Sequence, residues 1–204
     1  MSCTFRDNGT VSKTHSVTSV FVNPHKMAAN KLTFRIATID DAEPVQTLVQ
    51  SAYRGDSSRQ GWTHEADLLG GERIDVAAIR EKITAEGNTV IMAFDETGRL
   101  TACCEITQKS PDVAYFGMFA VDPTRQAGGF GRQVLEYAES YCRDTLGVKK
   151  LEMTVIWTRH ELIAWYARRG FRKTGETRPF PIHELNNGWM LKDDLHFEVL
   201  EKEF

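Results

Sequence analysis

Between Val121 and Tyr137 the chain reads Val-Asp-Pro-Thr-Arg-Gln-Ala-Gly-Gly-Phe-Gly-Arg-Gln-Val-Leu-Glu-Tyr. Few folds accommodate such a stretch. The apolar run Tyr115 to Val121 just before it is aromatic and β-branched, which predicts a strand. Asp122-Pro123 ends that strand, because proline has no N–H for a ladder. Gly128, Gly129 and Gly131 follow. Then Val134, Leu135, Ala138, Tyr141 and Cys142 recur on one helical face. A strand, a glycine turn and a helix start in that order aim free backbone N–H groups and a positive helix end at one spot, where a phosphate fits. Glycine lets an anion reach those amides.

Other phosphate loops fit less well. No Gly-Lys-Ser/Thr closes this one, so it is not a P-loop. A dinucleotide fingerprint beginning at Gly129-Phe130-Gly131 would need glycine where Val134 stands.

Composition narrows the function classes. With 204 residues the chain has about one domain's length. A net charge of -3 gives no electrostatic reason to expect nucleic acid or an anionic membrane. No apolar run approaches the roughly 20 residues that span a bilayer. The four cysteines include no CxxC pair, and Cys103 and Cys104 would point to opposite sides of a strand. Buried reduced thiols are expected, and no metal site. His160-Glu161 lacks the second histidine of a His-Glu-x-x-His metalloprotease, and there is no Gly-x-Ser-x-Gly.

The spacing Gln126-x-x-Gly129-x-Gly131 resembles the Gln/Arg-x-x-Gly-x-Gly/Ala signature of the GCN5-related N-acetyltransferases, the GNAT family. Ala164-Trp-Tyr-Ala-Arg-Arg-Gly-Phe171 is similar to that family's second block. The resemblance implies a mixed, mostly antiparallel central sheet with helices on both faces, over residues 32–204. It implies acetyl-CoA as co-substrate and a small amine as acceptor, with direct transfer in a ternary complex. Gln126, Ala127, Gly128, Gly129, Phe130, Gly131 and Arg132 would hold the pyrophosphate. Phe119, Ala120 and Val121 would pair with the pantetheine arm through their backbone. Tyr166 would protonate the departing thiolate, and Glu105, with Glu152 behind it, is the candidate amine base. The family's frequent Asn seven residues before the tyrosine is replaced here by Arg159, which could meet a phosphate instead.

The remaining expectations follow the chain. Residues 1–31 read as a disordered tail. Arg6, Lys13, Lys26 and Lys31 against the lone acid Asp7 leave a mitochondrial transit peptide as the alternative to a cytoplasmic protein, and Met27 as an alternative start. Leu32–Thr38 predicts a strand. Asp40-Asp41 predicts a helix start ahead of Val45, Leu48, Val49 and Ala52. Tyr53–Arg73 is long, polar and glycine-punctuated, and in the family's architecture that link lies over the acceptor. Tyr53, Trp62 and Glu65 are therefore candidate acceptor contacts, with Arg178 in the later segment 178–183 as a carboxylate contact. Asp75 predicts a helix cap, and Thr158-Arg-His-Glu161 a capping box. Strands are expected at 89–94, 99–108, 113–121, 150–157 and toward the C-terminal residues from Leu195. A homodimer is left open. The rival readings are a transferase using another acyl-CoA and a non-catalytic acyl-CoA sensor or scaffold.

Overall fold

A computed structural model describes residues 31–182 and 188–204; the expectations for residues 1–30 and for His183 lie outside them. The elements are β1 (Thr33–Ile36), α1 (Ala42–Tyr53), α2 (Gly55–Ser58), β2 (Leu69–Gly70), α3 (Val76–Thr84), β3 (Asn88–Phe94), β4 (Leu100–Gln108), β5 (Val113–Val121), α4 (Phe130–Ser140), β6 (Lys150–Ile156), α5 (His160–Ala167), β7 (Arg172–Pro179), β8 (Trp189–Met190) and β9 (His196–Glu203). The main sheet has the order β1-β3-β4-β5-β6-β9-β7, and β2 pairs with β8 in a second, two-stranded sheet. Among the described strands only β5 and β6 run parallel; the other pairs are antiparallel. The sheet is mixed and mostly antiparallel, as expected.

Strand alternation divides the core between the two faces. Cys103, Met118 and Ala120 pack with Val45, Val49 and Ile79 under α1 and α3. Cys104, Phe116 and Val121 pack with Val134, Leu135, Leu162 and Tyr166 under α4 and α5. The adjacent cysteines do point to opposite sides. Cys103, Cys104 and Cys142 are free and buried. Burial pushes the Cys103 and Cys142 thiols up to about 12, and raises Cys104 well above its ordinary value. The unfolded chain therefore releases these protons first. With fewer protons bound unfolded than folded, stability falls as pH rises past about 8.5. The unfolding free energy from denaturant titrations should drop by about 1 kcal/mol per thiol between roughly pH 8 and 9.5. A flat profile would mean that these thiols are not shielded.

Local sequence explains most boundaries. Asp75 accepts from the Ala78 N–H at 2.7 Å and caps α3. The helix start near residue 40 uses Thr38 and Asp41: the Thr38 N–H and hydroxyl both donate to Asp41 Oδ2, at 2.7 and 2.9 Å. Asp40 takes no part in that cap. Arg35 adds a bidentate pair to Asp41, 2.7 Å on each arm, and this pair draws the Asp41 carboxyl far below the usual range. The capping box expected at Thr158 does not form. Arg159 stands at the N-cap of α5 without a side-chain cap bond, and the Thr158 hydroxyl is buried with no partner among the described residues. β7 carries no sequence signal, because nearly all of it is exposed. Among the described residues, no helix is long and apolar enough to cross a membrane.

Candidate active site

The site begins with a fault in the sheet. Cys103 faces Ala120 and Glu105 faces Gly117, so β5 has one residue more than β4 across that interval. Met118 absorbs it at φ 43, a β-bulge with positive φ at a bulky residue. On its other edge β5 pairs with β6 only from Val113 to Tyr115. Beyond Tyr115 the two strands part, while β4 and β9 still hold their outer edges. A cavity of about 880 Å³ occupies the gap. It is lined by Phe116, Gly117, Met118, Phe119 and Val121 from β5 and by Met153, Thr154, Val155 and Ile156 from β6. Backbone groups along a parted pair of strands have no ladder partner, so they can bind an extended ligand as an added strand.

One end of the cavity meets the glycine loop. Asp122 anchors the turn after β5, accepting from the Thr124 N–H at 2.9 Å and from Arg99 at 2.7 Å. Arg125 reaches Asp95 at 2.5 Å. The chain then turns through Ala127 at φ 70 and Gly129 at φ 80, and Gly129 is the N-cap of α4. The first helical bond runs from the Gln133 N–H to the Gly129 carbonyl, at 3.3 Å. The N–H groups of Phe130, Gly131 and Arg132 therefore lack intrahelical acceptors. Ala127, Gly129, Gly131 and Arg132 line the cavity here. Nothing lies within 4 Å of where a Gly129 Cβ would stand, so its only obstacle is backbone strain. Gly129→Ala should cost about 1 kcal/mol in a thermal or denaturant melt; no loss would show that the turn relaxes to negative φ.

Twelve of the expected site residues line this cavity: Tyr53, Trp62, Glu65, Glu105, Phe119, Val121, Gln126, Ala127, Gly129, Gly131, Arg132 and Tyr166. Phe130 instead fills the core and Ala120 packs toward α1, so they offer backbone only. Gly128 is outside the wall, and its N–H already bonds the Arg125 carbonyl at 3.4 Å. Arg178 is also outside it. Its guanidinium is held by Glu152 at 2.9 Å and Glu176 at 2.8 Å, which raises its pKa and removes Glu152 as a free base. Phe180 and Pro181 of the same segment do line the cavity.

The charged groups of the wall are mostly paired. Glu65 is buried between two arginines: Arg54 Nη1 donates to Oε2 at 2.6 Å and Arg159 Nη1 to Oε1 at 3.0 Å. Arg159 also donates to the Thr63 hydroxyl at 2.7 Å, so it faces this loop and not a phosphate. Burial alone would raise the Glu65 carboxyl, but Arg159, Arg54 and Arg73 outweigh it and hold it below its usual value. Glu105 is buried, with Lys82 Nζ at 2.8 and 2.9 Å from its two oxygens. Tyr53 donates its hydroxyl to the Phe119 carbonyl at 2.8 Å; burial first, then Glu65, pushes its phenol up to about 12. Tyr166 is 4% exposed, its hydroxyl makes no hydrogen bond among the described residues, and burial raises its phenol further still. Sequence reasoning passed over Tyr115, Arg73 and Arg169, all of which line the cavity. Arg169 lay within the second block, beside the tyrosine it neighbours; the other two carried no motif.

The sequence model of the Acetyltransferase (GNAT) family matches residues 48–171, which include both the glycine loop and the Tyr166 block. The chain belongs to the GNAT acetyltransferase family. It is therefore an acyltransferase of the N-acetyltransferase type. Comparison with curated proteins gives no match. Among solved structures, GNAT likeness is clear in fold. A spermidine N-acetyltransferase from Vibrio cholerae in complex with CoA and spermine is 16% identical, with a TM-score of 0.62 over 84% of this chain and 95% of that one. A putative phosphinothricin N-acetyltransferase is 17% identical, with a TM-score of 0.60 over 85% and 98%. At these identities the likeness speaks for the fold alone. Among the described residues no cluster of His, Cys, Asp or Glu is placed to hold a metal.

Proposed function

We propose that this GNAT protein, with residues 32–204 as its catalytic domain, moves an acetyl group from acetyl-CoA to a primary amine of a small molecule within a ternary complex. The observation that carries the reading is the cleft between β5 and β6, opened by the Met118 bulge and ending on the free N–H groups of the α4 start. Family membership and a GNAT-fold neighbour in complex with CoA and spermine support it.

The chain's residues fit such a co-substrate. The Phe130, Gly131 and Arg132 N–H groups, with the α4 dipole, suit a pyrophosphate. Arg169 adds charge at the same end, stacked 3.5 Å over the Trp165 ring, which would lie 3.6 Å from a Cβ on Gly131. The stretch of β5 from Phe119 to Val121, which β6 leaves unpaired, suits the pantetheine amides, with Tyr53 already on the Phe119 carbonyl and Gln126 Nε2 3.3 Å from the Val121 carbonyl. Acetyl-CoA supplies a thioester: its C–S bond breaks as the amine nitrogen forms the new C–N bond, and the thiolate takes up a proton. A β5 N–H near Phe119 stabilises charge on the carbonyl oxygen. Tyr166 holds the proton for the sulfur, since burial keeps its phenol un-ionised. Glu105 is the wall carboxylate for the amine proton, acting when Lys82 yields one of its oxygens. Tyr53 and Trp62 frame the acceptor.

Thiol release from acetyl-CoA should be measured with amines, amino acids, polyamines and lysine peptides. Release that requires one acceptor class is expected. Acetyl-CoA binding without release above the acceptor-free background would favour the sensor reading, to which the Lys82-held Glu105 lends its one observation. Release from another acyl-CoA in preference would move the donor, not the site.

A further inference from the structure

The charges of the cavity wall differ from what a polycation would need. Two of its acids are already neutralised inside the protein: Glu65 by Arg54 and Arg159, Glu105 by Lys82. The third, Glu81, is exposed on α3. Two guanidiniums of the wall form no ion pair among the described residues. One is Arg169, at the glycine-loop end. The other is Arg73, just before α3, on the opposite side of the sheet. Among the described residues the Arg73 guanidinium makes no ion pair or hydrogen bond; it feels Glu65 at longer range, and its contact is the Tyr53 ring, with its carbon 5.2 Å from the ring centre. Tyr53 is fixed in turn by its 2.8 Å bond to the Phe119 carbonyl. One tyrosine ring thus separates a guanidinium without an ion pair from the strand segment that faces the thioester in the reading above.

We infer that the acceptor is a compact amine that also bears a carboxylate, and that Arg73 binds this carboxylate while the amine lies toward Phe119. The inference rests on the acetyl-transfer reading and names its substrate class. A planar guanidinium matches a carboxylate bidentately, and the cation–π contact with Tyr53 limits where the group can swing. A polyamine would find one exposed acid and an unpaired positive charge in the same wall.

The test pairs α- and β-amino acids with the amines that lack only the carboxylate, and adds spermidine. The expected result is a kcat/KM at least about tenfold higher for the carboxylated member of the preferred pair. Arg73→Ala should lower that value by roughly 10- to 100-fold, leave the decarboxylated partner and acetyl-CoA affinity unchanged, and be partly rescued by Arg73→Lys. Equal or better use of decarboxylated amines or spermidine would overturn the inference, as would an equal loss on both partners. A binding titration of the same amino acids into the CoA-saturated protein separates the two claims. Carboxylate binding that weakens in Arg73→Ala, without turnover, would keep the inference and sink acetyl transfer. No carboxylate binding and no carboxylate preference would sink the inference.

Discussion

Tyr166→Phe is expected to lower kcat by about 10²-fold or more, with acetyl-CoA affinity unchanged; a positioned proton donor typically supplies 10²- to 10⁴-fold. The substitution removes one oxygen and keeps the ring. The ring packs edge-on against Trp165, with centroids 5.0 Å apart, and against Phe171 at 5.7 Å, so the fold should not notice. The hydroxyl has no hydrogen-bond partner among the described residues, and burial holds its proton at any working pH. In model compounds a phenol near pKa 10 gives its proton to a thiolate near 8.5 at a cost of about 2 kcal/mol. Burial steepens that step, so the proton moves only as negative charge gathers on the sulfur. A loss confined to kcat separates this from a binding role. An unchanged kcat would move the acid elsewhere, first to Tyr115, whose hydroxyl is 2.7 Å from Thr154 Oγ1.

The second large effect concerns stability. Glu65→Ala should destabilise the protein by about 3–5 kcal/mol, because it leaves Arg54 and Arg159 uncompensated in a buried site. Arg54 is 4% exposed and Glu65 7%. Each guanidinium loses its short bond to the carboxylate. The expected reading is a large fall in the denaturant midpoint at neutral pH. Glu65→Gln should fall between, since the amide keeps one acceptor but no charge. If Glu65 were instead a free anchor for an amine, its removal would raise the acceptor KM and leave the melt in place.

The sequence showed best what is written in neighbouring residues. The strand expected over 113–121 is β5 at those bounds, because every second residue of Val113–Val121 meets a core. The glycine loop was legible because its turn needs small residues in a short span. Longer-range facts were not. The Met118 bulge depends on how β5 registers with β4, and no local pattern encodes it. Glu65 looked like an acceptor contact because its partners stand 11 and 94 positions away. Arg178 looked available for the same reason: Glu152 lies 26 positions off. Thr158 matched a cap motif, but Arg159 is drawn to Glu65 and the helix starts one residue late. β7 is an exposed edge strand with a positive φ at Gly175, so alternation never appears in it.

The account rests on the cleft between β5 and β6. A crystal structure of the protein grown with acetyl-CoA tests it most directly. The account predicts the pyrophosphate on the N–H groups of Phe130 to Arg132, the pantetheine between Phe119–Val121 and β6, and the sulfur within reach of the Tyr166 hydroxyl. A ligand bound elsewhere, or a cleft left empty at saturating acetyl-CoA, would contradict it.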